Sequence, residues 1–248
     1  MTTDAFASGN WVEDLPWPAV EQRLVAGAVA LLPIGAASKE HGPHLPHGTD
    51  YFQARCFADR VAVEIDALIW PVLHYGYYPV FTEYPGSVSL QAETFRAMTS
   101  EILNAIDAAG ARATVLLNTG ISTIAPLTAM LCDRAGAMPV ALVNCYAGEH
   151  FMAAVGAIET QLFGGHADEI ETALMLAIDP ARVSLERAVA NAQPIERGRF
   201  NRHNPRAPNY SPSGVNGDPT VATVAKGERL LEALITDIVA AVRAVPRR

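Results

Sequence analysis

The 248-residue sequence predicts an α/β fold in which a largely parallel sheet carries helices on both faces. Three observations point there. Short apolar, β-branched runs alternate with longer amphipathic stretches, the order of repeated strand–helix–strand units. Those runs are apolar at successive rather than alternate positions, as expected of strands buried on both sides. No Gly-, Ser- or Pro-rich linker and no internal repeat divides the pattern, so residues 1–248 are expected to form one domain.

The run VALLPI at 29–34 reads as the first strand and residues 51–65 as the helix that follows. Residues 67–73 form the next predicted strand and 92–109 the next helix. A third strand is expected over 114–118, a helix over 124–135 and a fourth strand over 139–144. Residues 169–178 and 226–243 place apolar side chains at helical spacing. Residues 193–219 differ: they are Pro-rich and aperiodic, and they carry Arg197, Arg199, Arg202 and Arg206. A loop that long in a compact domain is usually functional or mobile.

Composition narrows the function classes. Eighteen basic against twenty-six acidic side chains give a net charge of −8, which argues against a nucleic-acid backbone as partner. No apolar run reaches the roughly 18 residues that a membrane span requires, and residues 1–18 lack the basic and apolar regions of a signal peptide. Cys56, Cys132 and Cys145 are widely spaced in apolar contexts without a CxxC pair, and read as reduced thiols. A cytoplasmic protein acting on a small molecule, with no nucleic-acid or membrane partner, is expected.

Sites on open parallel sheets collect beyond the carboxyl ends of the strands. The segment after the first strand, GAASKEHGPHLPHGTD at 35–50, holds Lys39, Glu40, His41, His44, His47 and Asp50. Its glycines and prolines forbid a regular helix, so an irregular loop must converge these groups. Imidazole and carboxylate ligands suit zinc, manganese or iron, and His41 with Asp50 are the candidate ligands. His47 reads instead as bonded to loop backbone. After the second strand, the His74–Pro79 run places Tyr78 and its neighbours beside the cleft, as a pocket wall or as interface packing. After the third, Asn118, Thr119, Ser122 and Thr123 are candidate hydrogen-bond donors to substrate or to Asp50. Neither a GxSxG elbow nor a phosphate-binding P-loop is present.

At these residues the sequence resembles the creatininase family. EHGPHLPHGTD matches its Glu-x-His-Gly-x-His-Leu-Pro run ending in Thr-Asp, and YPGSVSL at 84–90 its Phe-Pro-Gly-Thr segment. GGHADEIETALML at 164–176 resembles the His-Ala-Gly-Glu-x-Glu-Thr helix start, and SGVNGDPTVATVAKGE at 213–228 the Ser-Gly-Val-x-Gly-Asp-Pro segment. The resemblance implies a three-layer α/β/α sandwich, a homo-oligomer (a hexamer in creatininase itself) and metal-dependent hydrolysis of amide-type C–N bonds.

Two departures matter as much as the matches. The family's ligand Glu two residues before the first His is Lys39 here, and its second ligand His is Gly120. Both belong to the same ion of the family's two-metal site. The resemblance therefore implies a site for one divalent ion, or none, with ligands His41, Asp50 and Glu169. The Lys39 ammonium is expected to pair with Asp50 near the place of the absent ion, with Glu40 as an alternative ligand or catalytic group. His166 is the candidate proton carrier, and His44, Tyr78, Asn118 and Ser122 are candidate substrate contacts. The expected activity is hydrolysis of an amide or cyclic amide by metal-activated water. The alternatives are a non-catalytic or metal-free family member that binds a small ligand, and a hydrolase or isomerase of a sugar-like keto compound using Lys39.

Overall fold

The computed structural model describes residues 9–134, 138–196 and 198–247. Four parallel strands, β1 (Val29–Ile34), β2 (Ala67–Ile69), β3 (Thr114–Asn118) and β4 (Val140–Asn144), lie in the order β2-β1-β3-β4. In register, Leu31 lies between Ile69 and Val115, and Asn118 joins Ile34 to Asn144 at the carboxyl end. The helices are α1 (Trp17–Ala26), α2 (Thr49–Glu64), α3 (Ala92–Ala108), α4 (Ile124–Asp133), α5 (Glu149–Ile158), α6 (Glu169–Ile178) and α7 (Val224–Arg243).

Strand order accounts for the layers. The chain leaves β1 for β2 in one direction and goes from β2 past β1 to β3 and β4 in the other. Right-handed crossovers then put α2 on one face and α3 and α4 on the other. Val29, Leu31, Val115 and Leu117 pack with Phe57 of α2, Phe151 of α5, Leu174 of α6 and Leu230 and Leu234 of α7. The alternate residues Ala30, Leu32, Ile34 and Leu116 pack with Leu24 of α1, Phe95 and Leu103 of α3 and Leu127 of α4. Successive strand residues thus feed two separate cores, which is why the runs are apolar throughout. The result is the expected three-layer α/β/α sandwich.

Beyond shifts of one or two residues at the ends of α2, α3, β4 and α7, four elements differ from expectation. β2 stops at Ile69 rather than Leu73 because Pro71 has no N–H for the ladder. Pairing resumes at one point, where Leu73 N donates to the Pro33 carbonyl at 2.8 Å. The predicted end of α4 at Ala135 lies outside the described residues, and α4 is described to Asp133. Two helices were not anticipated. α1 follows Pro16, with Pro18 in its first turn, and stops at Gly27, whose φ of 99° is the left-handed conformation that glycine adopts without strain. α5 carries no side-chain cap of its own. Its first amides donate instead to Asp237 of α7, from His150 N at 3.2 Å and Phe151 N at 2.8 Å.

Candidate functional site

Order reverses between β1 and β3, so their carboxyl ends open a crevice at this switch point. The 35–48 loop and the N-terminus of α2 enter it from β1, and the 119–123 turn from β3. Asp50, in the first turn of α2, is wholly buried. Its Oδ2 lies 2.7 Å from Lys39 Nζ and its Oδ1 3.0 Å from His41 Nε2. Burial pushes the Asp50 carboxyl up, but the Lys39 ammonium and then His41 outweigh it and hold it well below the ordinary range. Burial likewise works to lower the Lys39 pKa, yet Asp50, followed by Glu171, leaves it raised. The ammonium sits 5.2 Å from the centre of the Phe81 ring.

A second set of groups faces this pair. His166 precedes α6, and residues 165 and 166 bond to Asn216 of the C-terminal loop. Its Nε2 lies 2.8 Å from the Glu40 carbonyl and 3.1 Å from Glu40 Oε2, and its Nδ1 lies 3.6 Å from Glu171 Oε2. Burial lowers the His166 pKa, but Glu40 and then Glu171 leave it raised. The Glu40 carboxylate accepts from Gly42 N and is held below its ordinary value, His166 overcoming the opposing effect of burial. Gly214, at φ 85°, lies directly over that carboxylate, where any Cβ would collide with it. The segment resembling Ser-Gly-Val-x-Gly-Asp-Pro therefore closes the back of the site.

Glu169 requires a correction. It sits in α6 but faces away from His41 and Asp50, accepting from Thr160 N and Gln161 N, each at 2.8 Å, and pairing with Lys226 of α7. Glu171, two residues on, is the carboxylate that α6 presents to the site. The reason is helical phase: two positions turn the side chain by about 200°. Asp168 caps the helix, accepting from Ile170 N at 2.9 Å and Glu171 N at 3.0 Å. Burial and then Glu171 push the Asp168 carboxyl up to about 6.

Two expected substrate contacts are also corrected. His44 is buried away from the cavity, its Nε2 2.8 Å from Thr172 Oγ1, and burial drives its pKa down to about 4. Asn118 is consumed by the turn after β3: it donates to the Gly120 carbonyl and Asn144 Oδ1 and accepts from Thr123 Oγ1 at 2.6 Å. Tyr78 and Ser122 do reach a cavity of about 770 Å3, whose lining includes Lys39, His166 and Glu171. Sequence reasoning missed Glu171, Phe81, Tyr146, Ile195 and Phe200, which also line it. Glu171 was visible as the second acid of the Glu-Ile-Glu run, whereas the aromatic residues carry no local signal. The Tyr78 hydroxyl is buried without a partner, and burial and then Asp50 raise its pKa, so it remains a neutral donor. His47 Nε2 meets the Pro85 carbonyl at 3.0 Å. From the Arg-rich loop, Ile195, Glu196, Gly198 and Phe200 line the cavity, while Arg199 pairs with Glu83 at 3.2 Å; Arg197 lies outside the described residues.

The donor set suits one divalent ion. Donor atoms of His41, His166 and Glu171 all lie within 4.8 Å of one another. Each imidazole is oriented by one nitrogen against an oxygen that can only accept. Nδ1 of His41 faces the Lys39 carbonyl at 2.9 Å, and Nε2 of His166 faces the Glu40 carbonyl. Those nitrogens must carry the protons, which is how protein partners orient metal-binding histidines. The remaining nitrogens face carboxylates, Asp50 for His41 and Glu171 for His166. Two acceptors turned towards each other call for a cation between them, either a proton or a metal.

The family model for creatininase, described as creatinine amidohydrolase, matches residues 13–242. Creatinine amidohydrolase of Pseudomonas putida is 28% identical over 255 residues, covering 94% of this chain and 96% of that protein. The 3-dehydro-scyllo-inosose hydrolase of Thermotoga maritima is 25% identical over 270 residues (97% and 85%). The mycofactocin precursor peptide peptidase of Mycobacterium tuberculosis is 28% identical over 223 residues (84% and 82%). Among solved structures, a creatininase described as the Mn form superposes with a TM-score of 0.80, and a mutant creatininase of Zn-Zn type with 0.79. Each is 26% identical and covers 95% of this chain and 98% of its own. With the family model matched over residues 13–242 and solved creatininases superposing on 95% of the chain, it belongs to the creatininase family of hydrolases.

Proposed function

We propose that this chain hydrolyses an amide-type C–N bond, linear or cyclic, of a small molecule bound in the 770 Å3 cavity, with one divalent cation at His41, His166 and Glu171. The observation that carries this reading is the clustering of those three donors within 4.8 Å of one another, with His166, Glu171 and the Lys39 ammonium on the cavity wall. A zinc or manganese ion, when bound, supplies Lewis acidity and lowers the pKa of water.

The remaining work falls to the chain's own groups. Lys39 Nζ, pinned by Asp50, serves as a fixed positive charge rather than a nucleophile, placed to attract a carbonyl oxygen as negative charge develops there. The unpartnered Tyr78 hydroxyl is a second donor for that oxygen. Glu40 holds His166 in orientation, and Phe81 and Phe200 pack on the imidazole with ring centres at 4.2 and 5.8 Å. In this reading His166 is a ligand rather than a free proton carrier. The test is the His166→Ala variant, assayed for amide hydrolysis and for bound metal. Loss of both is expected. Full metal content with lost activity would return His166 to proton transfer.

A second reading has a specific observation in its favour. An ammonium facing a cavity can polarise a ketone as readily as an amide, and one relative is described as hydrolysing a dehydro-inosose. Turnover of cyclic keto-polyols, with none of cyclic or linear amides, would select it.

A further inference from the structure

We propose that Lys39 is a built-in cation that takes the place of a second metal ion, so that this chain holds one divalent ion where a relative of Zn-Zn type holds two. The proposal rests on the reading that His41, His166 and Glu171 take a divalent ion.

Asp50 divides its two oxygens between different partners. Oδ1 meets His41, on the side where that ring needs a cation, and Oδ2 meets the ammonium at 2.7 Å. Lys39 keeps only 8% of its side chain exposed and Asp50 none, so the pair is a fixed internal feature. A mobile surface contact would not survive that degree of burial.

Charge balance gives the stoichiometry. Asp50, Glu40 and Glu171 face the two imidazoles with three negative charges, and Lys39 returns one positive charge. With neutral imidazoles, one divalent ion compensates the two negative charges that remain. A second would leave a net double positive charge in a site of low polarity, where uncompensated charge is costly. Donor chemistry agrees independently. Among the described residues, His41, His166 and Glu171 form the one group of three metal-donor side chains close enough to share an ion. The cavity wall beyond Lys39 offers Thr119, Gly120 and Ser122, none of them an imidazole or a carboxylate.

The test is metal stoichiometry. Full-length protein, stripped by chelation, is titrated with manganese chloride or zinc chloride and the ions per chain counted by native mass spectrometry. Wild type is expected to saturate at one ion. Lys39→Glu, which shifts the site's charge by two units, is expected to admit a second. Lys39→Gln, its fold checked by circular dichroism, is expected to keep one ion and bind it at least tenfold more tightly. Two ions in wild type would overturn the proposal, as would a Lys39→Glu protein that folds yet still takes one ion with unchanged affinity. No ion in wild type would overturn both this proposal and the metal reading beneath it. One ion without hydrolysis of any amide would leave this proposal standing and remove only the proposed reaction.

Discussion

Glu169 and Glu171 stand two residues apart on α6 and divide structural from chemical duty between them. Glu169 is sealed among the amides of residues 160 and 161 and the Lys226 ammonium, on the side where α6 meets α7. Replacing it by Gln leaves an amide where a carboxylate accepted charged and backbone donors, at a cost of about 1–3 kcal/mol. Glu169→Gln is therefore expected to lower the melting temperature while leaving metal affinity unchanged. Glu171→Gln is expected to do the opposite, weakening metal binding by at least about 100-fold with little change in the melting of the metal-free protein. Calorimetric titration and thermal denaturation of both variants read out the contrast. A metal defect in Glu169→Gln that matched that of Glu171→Gln would mean that Glu169, not only Glu171, faces the ion.

The helices show how far an element depends on neighbours distant in sequence. α6 has its N-cap at Asp168, and its predicted and observed bounds coincide. α5 lacks a cap and borrows Asp237 from α7, 86 residues on from Phe151. Burial raises the Asp237 pKa, but the Phe151 amide, then the His150 side chain, outweigh it and leave the carboxyl depressed. A carboxyl depressed on folding contributes stability that is fully present above its unfolded pKa, roughly 3.9, and is lost as pH falls through the lower folded value. Asp237→Ala is expected to cost about 1 kcal/mol at neutral pH, the usual value of a cap. Its acid-denaturation curve is expected to converge with that of wild type as pH falls through the folded value. Parallel curves, offset equally at every pH, would show that the loss comes from packing instead.

At the scale of the molecule, the site is assembled from segments that meet only because β1 and β3 are neighbours at the switch point. The 39–50 loop, the 78–81 aromatic turn, the 119–122 turn and residues 166–171 contribute to one crevice, and Phe200 closes it from the C-terminal third. Around it lie exposed apolar side chains: Ile121 on the cavity lining, Met152 on an adjoining smaller pocket, and Leu162 and Phe163 in the α5–α6 connection. Leu162 is 81% exposed, an unusual state for leucine next to other apolar groups. The chain is accordingly expected to associate with copies of itself through this face. Light scattering on wild type should give a multiple of 26.5 kDa, and Leu162→Asp should lower it. A wild-type mass of one chain would remove the expectation. No described helix is long and apolar enough to cross a membrane.

Much of this was legible in the chain itself because the relevant physics is local. Apolar runs bounded by turn residues placed β1 and β3, and apolar spacing placed α6, at their observed bounds. The expected Lys39–Asp50 pair is also present, at 2.7 Å, since a buried lysine needs an anion to hold it. α1 was legible but overlooked, with Pro18 at its start and Gly27 at its stop. What the chain alone left open depends on direction rather than identity. Which acid of α6 meets the histidines is decided by which face of that helix packs on α7. Asn118 and His44 look like substrate contacts until the turn after β3 and Thr172 consume them. The aromatic wall exists only where distant loops converge. Sequence determined the elements and the inventory of charged groups; tertiary packing decided which way each group faces, because burial selects a face only when the opposing layer is in place.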